Sequence, residues 1–248
     1  MASRSDARLG GKIGIVTGAA RGIGAALARH LVAEGARVVL ADVRDSDGEL
    51  LAKELGESAR YHRLDVADEQ AWAELTAAVG ADHGRIDFLI SNAAVSKLGS
   101  LQDIPLADID LMWQVNQRGV LLGMRAVTGW MLPAGSGSIV NVASAATLRV
   151  QPGMVGYAAT KAAVCAMTKV AALELAGVNI RVNAILPGLI DTPGRDAIPA
   201  SEKAKRPAVP LRRLGSATEV AHVAAFLASD EASYVTGSEF VVDGGFVL

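Results

Sequence analysis

One cysteine, Cys165, stands in a chain of 248 residues, so no internal disulfide framework can form and a reducing, cytoplasmic setting is expected. That thiol falls among small residues and reads as buried and structural rather than as a nucleophile. Aromatic residues make up only 4% of the chain, which argues against an aromatic-rich β-sandwich. No apolar run approaches the ~18 residues of a membrane-spanning helix, so no membrane association is expected. Residues 1–8 are polar and lack the apolar segment of a signal peptide; residues 1–9 read as a flexible tail. An excess of one charge is also missing. The formal net charge is −2 and the densest basic pair, Arg212-Arg213, reads as a solvated loop, so nucleic acid is not an expected partner. No repeat, low-complexity tract or linker divides the chain, and no metal site is assigned.

What is present is enough apolar sequence for a large core. Hydrophobic residues make up 51% of the chain and charged residues 20%, with Ala, Val, Leu and Gly dominant, which suits close helix–sheet packing. Short apolar segments at 12–17, 37–40, 60–64, 86–91, 138–142, 179–185 and 239–242 read as strands. Between them, 25–34, 46–55, 68–79, 101–132, 157–176 and 218–228 carry helical character, with Pro105 in an early turn and Pro133 as a stop. Strict alternation of this kind predicts an α/β fold: a single domain over 1–248, a Rossmann-type doubly wound seven-stranded parallel sheet with helices on both faces.

Chemistry-bearing residues collect just after the strands. The first strand runs into Gly18-Ala19-Ala20-Arg21-Gly22-Ile23-Gly24 and then a helix, a turn whose backbone can approach a pyrophosphate and rest its charge on amides and the positive helix end. The second strand ends on Asp42, roughly where a dinucleotide fold places the acid that binds the adenosine ribose. A carboxylate there, followed by uncharged Val43, favours NAD over NADP; Arg21 and Arg44 are the counter-evidence, since either could reach a 2′-phosphate. Asp65 could bond the adenine edge or cap the following helix. Asn92-Ala93-Ala94 leaves room for a flat ring, with Asn92 able to tie the loop to neighbouring strands. Asn116 sits mid-helix, where its propensity is poor, as an exposed residue or as a member of a buried network. Ser144 follows the fifth strand. Tyr157 and Lys161 are spaced i, i+4 and share one helix face. A phenol ionises near pH ~10, and a fixed ammonium one turn away is expected to lower that value and make Tyr157 a usable proton-transfer group. The residues after the sixth strand, Pro187-Gly188-Leu189-Ile190-Asp191-Thr192, lead into a proline-rich segment, so that 190–210 reads as a flap over the substrate.

Taken together, Thr17-Gly18-x-x-x-Gly22-Ile23-Gly24, Asp65-Val66, Asn92-Ala93-Ala94, Asn116, Ser144, Tyr157-x-x-x-Lys161 and Pro187-Gly188 resemble the classical short-chain dehydrogenase/reductases, in family order from about Leu9 to the end. The resemblance implies Tyr157 as acid/base, Ser144 on the substrate oxygen, Lys161 on the nicotinamide ribose and lowering the phenol pKa, and Asn116 positioning a water in a proton relay. It further implies a dinucleotide lined by Gly18, Arg21, Ile23, Asp42, Asp65, Val66, Asn92, Lys161, Ile190 and Thr192, with Gly22, Gly24, Val43, Ala93, Tyr157, Pro187 and Gly188 beside it. The Asp42 pattern is similar to the NAD-preferring subgroup.

Candidate substrate-wall residues are Val95, Ala146, Leu148, Met154 and Leu189 beside Ser144 and Tyr157, with Leu98, Ala145 and Val150 nearby. They are predominantly apolar, and no arginine is evident on the crevice side; Lys97 is the one nearby cation. The expected substrate is therefore a neutral, hydrophobic secondary alcohol or its ketone, of cyclic, terpenoid or steroid type. The alternatives are a 3-oxoacyl-carrier-protein reductase, which Asp42 argues against, and a non-catalytic NAD-binding sensor. The helices 111–132 and 157–176, the latter with Ala158, Ala159, Ala162, Ala163 and Ala166, are expected to face other subunits, as in the homotetramers common in the family.

Overall fold

The computed structural model describes residues 7–192 and 209–248. Seven parallel strands form one sheet in the spatial order β3-β2-β1-β4-β5-β6-β9: β1 (Ile13–Thr17), β2 (Arg37–Asp42), β3 (Ala59–Arg63), β4 (Phe88–Ser91), β5 (Gly137–Val142), β6 (Ile180–Pro187) and β9 (Glu239–Val242). A separate two-residue parallel pair, β7 (Ile190–Asp191) with β8 (Gly215–Ser216), was not foreseen from the sequence. The helices are α1 (Gly22–Ala33), α2 (Asp45–Leu55), α3 (Glu69–His83), α4 (Leu106–Met112), α5 (Gly119–Ala134), α6 (Val155–Leu175) and α7 (Ala217–Ala228).

Both faces of the sheet are covered, which is why most strand residues are apolar in unbroken runs rather than in alternation. On one face Leu27 and Leu31 of α1, Leu51 of α2 and Val220 and Leu227 of α7 pack on Val16, Leu40, Phe88 and Ile185. On the other, Trp72 and Leu75 of α3, Val127 of α5 and Val164 of α6 pack on Ile15, Leu89, Ile139 and Val182. The Ser216–Glu219 spacing forms a reciprocal capping box at the start of α7: Ser216 Oγ accepts from the Glu219 amide at 3.2 Å and Glu219 accepts from the Ser216 amide at 2.7 Å.

Several local expectations are revised. The chain is anchored before residue 9, because Leu9 is fully buried and its amide donates to Glu34 O at 2.9 Å; residues 1–6 lie outside the described residues. Most of the expected flap, 193–208, also lies outside them. Asp68, not Asp65, caps α3, accepting from the amides of Gln70 and Ala71. The expected long helix begins only at Leu106 and is interrupted by a π-helical stretch, Trp113–Arg118, that contains Asn116. A wide turn costs helix geometry and is retained where a side chain or carbonyl must be re-aimed. Pro133 falls inside the last turn of α5, and Gly135 in the left-handed conformation ends it.

His30 of α1 meets His222 of α7 edge-on, with ring centroids 4.6 Å apart. Burial, then His222, push the His30 imidazole below its ordinary value; Glu34 opposes and Arg8, itself paired with Glu231, adds to the effect. A histidine whose folded value is lowered binds its proton more readily in the unfolded chain. Its contribution is therefore complete above about pH 6.5 and is lost as pH falls through that value toward the folded one. Urea midpoints are expected to fall between pH 7.5 and 5.5, and to fall less in His30→Gln. An identical drop in the variant would assign the acid sensitivity elsewhere.

Candidate active site

Strand order reverses between β1 and β4, and a crevice opens there at the carboxyl ends of the strands. Two adjoining cavities occupy it, one of about 490 Å³ and one of about 370 Å³, which share Ile23, Asn92, Ala94 and Thr192.

The larger is lined by Gly18, Arg21, Gly22, Ile23, Asp42, Val43, Asp65, Val66, Asn92 and Ala93. Gly18 and Gly22 have positive φ, +62° and +58°, which residues with a Cβ rarely adopt. A Cβ on Gly24, which itself lies outside the lining, would stand 1.9 Å from Gly18 O. Arg21, at the N-cap of α1, makes no side-chain cap, so the first amides of that helix have no capping side chain. Bare amides at a helix start beside a side-chain-free turn are what a pyrophosphate requires. Thr17 ties this floor together in a way the sequence reading did not anticipate: its Oγ1 accepts from the amides of Asn92 at 3.0 Å and Ala93 at 3.1 Å. Asn92 Nδ2 donates back to Thr17 O and Gly18 O.

Asp42 is buried, and its carboxylate is oriented by two amides, Ala20 N at 2.9 Å on Oδ2 and Arg44 N at 3.1 Å on Oδ1. Each oxygen keeps lone pairs for a ligand hydroxyl. The Arg44 guanidinium is engaged by Asp47 at 2.7 Å, whereas Arg21 has no side-chain partner among the described residues. Asp65 accepts from the Ala67 amide and faces the same cavity. These features fit an adenine dinucleotide: glycine floor for the pyrophosphate, carboxylate for the ribose.

The smaller cavity is lined by Ser144, Ala146, Met154, Tyr157, Lys161, Pro187, Gly188, Leu189, Ile190 and Thr192. Tyr157 and Ser144 stand on the same wall, and Ser144 Oγ accepts from the Ala146 amide at 3.1 Å. Lys161 is buried; its Nζ donates to Val142 O at 2.7 Å and lies 5.9 Å from the centre of the Tyr157 ring. The expected depression of the phenol by Lys161 is not a property of the free protein. Burial pushes Tyr157 up from its ordinary value, opposed only by the nearby Ser144 hydroxyl, and burial also pushes Lys161 down to about 8. Desolvation penalises both charged forms and is the largest cause of each shift.

Asn116 lines neither cavity. It is fully buried; its Oδ1 accepts from Val95 N at 2.8 Å, and its Nδ2 donates to Val95 O at 2.8 Å and Thr160 Oγ1 at 3.2 Å. Thr160 in turn donates to Tyr157 O at 2.8 Å and so couples the π turn to α6. The side-chain amide is thereby a clamp on the loop after β4, with both of its protons taken by protein acceptors.

Substrate-wall expectations are only partly met. Val95 lines the larger cavity, Leu148 lines neither and is half exposed, and Lys97 faces Asp108 at 3.7 Å rather than the site. Conversely Ser96, Arg149, Gln151 and Phe246 line the smaller cavity, so the expectation of no arginine there is overturned. Arg149 follows Ser144 by one short turn and could have been suspected from that; Phe246 arrives from the far end of the chain, and no local pattern announces it.

A family model described as Enoyl-(Acyl carrier protein) reductase matches residues 18–247. A 3-alpha-(or 20-beta)-hydroxysteroid dehydrogenase of Mycobacterium tuberculosis is 44% identical over 240 residues, covering 97% of this chain and 91% of that protein. The 3-oxoacyl-(acyl-carrier-protein) reductase FabG of Thermotoga maritima is 42% identical over 247 residues, covering 97% of this chain and all of its own length (100%). The crystal structure of a short-chain type dehydrogenase/reductase from Mycobacterium marinum superposes with a TM-score of 0.93 at 31% identity, covering 98% of this chain and 99% of that one.

Proposed function

Because this chain belongs to the short-chain dehydrogenase/reductase family of oxidoreductases, which use a nicotinamide cofactor, we propose that it is an NAD-dependent enzyme interconverting a hydrophobic secondary alcohol and its ketone. The observation that carries this reading is that Ser144, Tyr157 and buried Lys161 line one cavity, adjoining the one that Asp42 and the glycine turn enclose. NAD supplies the hydride acceptor in oxidation and, reduced, the donor in the reverse direction.

The chain's own residues bind, orient and move the proton. Ser144 and Tyr157 both hydrogen-bond the substrate oxygen. In oxidation Tyr157 Oη takes the hydroxyl proton; in reduction it returns a proton to the oxygen of the forming alcohol. Lys161, held on Val142 O by one donor, keeps two for the nicotinamide ribose and places positive charge beside the phenol. Asn116 positions the reacting face by clamping Val95 and Thr160. Ala146, Met154 and Leu189 supply the apolar wall, in keeping with the hydroxysteroid dehydrogenase named above. The carrier-protein reductase reading is supported by the FabG relative and opposed by Asp42.

A screen of cyclic, aryl and steroidal secondary alcohols with NAD and NADP, followed by cofactor absorbance, tests this. Alcohol oxidation with NAD is expected to rise from about pH 6 to about pH 9, because the base form of a raised phenol must be populated. A flat oxidative profile, with a deuterium isotope effect confirming that hydride transfer limits the rate, would count against Tyr157 as the base. Turnover with NADP alone would bring the carrier-protein reductase forward.

The assembly proposed is a homotetramer. Along α6, Val155, Val170 and Leu173 are exposed, Leu173 by 83%, and around the C-terminus Tyr234 and Leu248 are fully exposed. Two separate apolar surfaces of this kind suit two symmetry-related contacts. Light scattering is expected to give four times the chain mass, and Val170→Glu with Leu173→Glu to give a smaller species. A wild-type monomer would refute the assembly.

A further inference from the structure

The cavity beside Tyr157 carries a cation that hydride and proton transfer leave unused. The turn that begins at Ser144 delivers it: the Thr147 amide donates to Ser144 O, and the amides of Leu148 and Arg149 to Ala145 O, the last at 2.9 Å. The Arg149 guanidinium lies over the Phe246 ring, 4.5 Å from its centre, and Nη1 donates to the Phe246 carbonyl. Phe246 is itself fixed. Asp243 accepts from the amides of Gly245 at 2.8 Å and Val247 at 2.9 Å, and Gly188 lies against it where a Cβ would stand 2.5 Å from the Asp243 Cβ. The end of β6, the C-terminal turn and Arg149 thus form one clamp at the cavity wall.

A guanidinium has five N–H donors. Phe246 takes one, and among the described residues no further acceptor is bonded to Arg149. Arg149 is exposed, yet stacking on the ring and the bond to the Phe246 carbonyl restrain its guanidinium before any ligand arrives. Gln151 and Ser96 add two neutral polar side chains to the same wall.

We propose that Arg149 is a specificity-determining residue that receives a second acceptor oxygen, carbonyl or carboxylate, at the end of the substrate remote from the carbon exchanging hydride. This rests on the alcohol/ketone reading and deepens it: an apolar body lies against Ala146, Met154 and Leu189, with the reacting oxygen on Ser144 and Tyr157 and the second oxygen on Arg149.

Three aryl methyl ketones of similar size test it in NADH-linked reduction: 4-isopropylacetophenone, 1,4-diacetylbenzene and 4-acetylbenzoate. With the full-length protein, kcat/KM for the diketone is expected to exceed that for the isopropyl compound by about tenfold, and for the carboxylate by about 10- to 100-fold. In Arg149→Met both ratios are expected to approach one; in Arg149→Lys the carboxylate ratio partly returns. A merely structural role, loosening of the C-terminal clamp, lowers all three rates together and leaves the ratios intact. Ratios near one in the wild type, or ratios that survive Arg149→Met, overturn the assignment while the hydride chemistry stands. A preference for the carboxylate alone assigns an acid substrate, and an equal preference for both assigns a dicarbonyl. Absence of turnover of these ketones and of every compound in the alcohol screen overturns the proposed function and this inference with it.

Discussion

Tyr157→Phe is expected to lower kcat for alcohol oxidation by about three orders of magnitude while leaving the fold and NADH binding in place. The substitution removes one oxygen from a ring that stays seated against α6 and the Ser144 turn. Positioned acid–base catalysis is worth roughly 10²–10⁴-fold, and no neighbouring group stands ready to replace the phenol. Ser144 is an alcohol with no adjacent base, and Lys161 is bound to Val142 O and, pushed to about 8, still mainly protonated at neutral pH. The cost to stability is small, because Ser144 keeps its bond from the Ala146 amide. Steady-state kinetics, a thermal melt and an NADH fluorescence titration should be run on the same preparation. A variant that melts normally, binds NADH and retains a tenth or more of wild-type kcat would remove Tyr157 from the mechanism. Loss of activity together with loss of NADH binding would instead make its role positional.

The second large effect is expected at Asp42. Its carboxylate is held by the amides of Ala20 and Arg44, and in the NAD-dependent function proposed it accepts from two ribose hydroxyls and repels a 2′-phosphate. Two hydrogen bonds to a charged acceptor are together worth about 3 kcal/mol, or on the order of 100-fold in kcat/KM with NAD. Asp42→Ser forfeits that and removes the repulsion, leaving Arg21, which has no side-chain partner among the described residues, and Arg44, one exchange away from Asp47. The ratio of kcat/KM for NADP over NAD is therefore expected to rise by roughly 10²–10³. An unchanged ratio would mean that Asp42 does not choose the cofactor, whatever its place at the end of β2.

Much of this arrangement was legible in advance because it is local. Strands and helices announce themselves through runs and periods of apolar residues, and all seven strand segments were recognisable to within two residues at each end, β3 and β9 among them. Gly18, Gly22 and Gly24 follow a strand and open a helix, and an i, i+4 pair shares a face wherever the helix runs, so Tyr157 and Lys161 could be paired without coordinates. Asp42, Asn92 and Ser144 were locatable for the same reason: each stands at or just after the carboxyl end of a strand, and in a parallel sheet those ends converge.

Other features were closed to the sequence because they depend on partners distant along the chain or on what covers a group. The π turn that buries Asn116 is set by Val95 and Thr160, neither of them near it in sequence. The direction of the Tyr157 shift was misjudged because spacing shows the ammonium but not the apolar surroundings, and desolvation is the larger effect. Arg149 was overlooked because an exposed arginine becomes part of a cavity wall only when Phe246 comes back from the chain's far end and holds it there. Sequence by itself determined the fold, the glycine turn after β1 and the pairing of Tyr157 with Lys161 on one helix face, since propensity and period act over a few residues. Tertiary structure alone decided how those groups are solvated and what closes the far end of the cavity, since burial is a property of the whole packed chain.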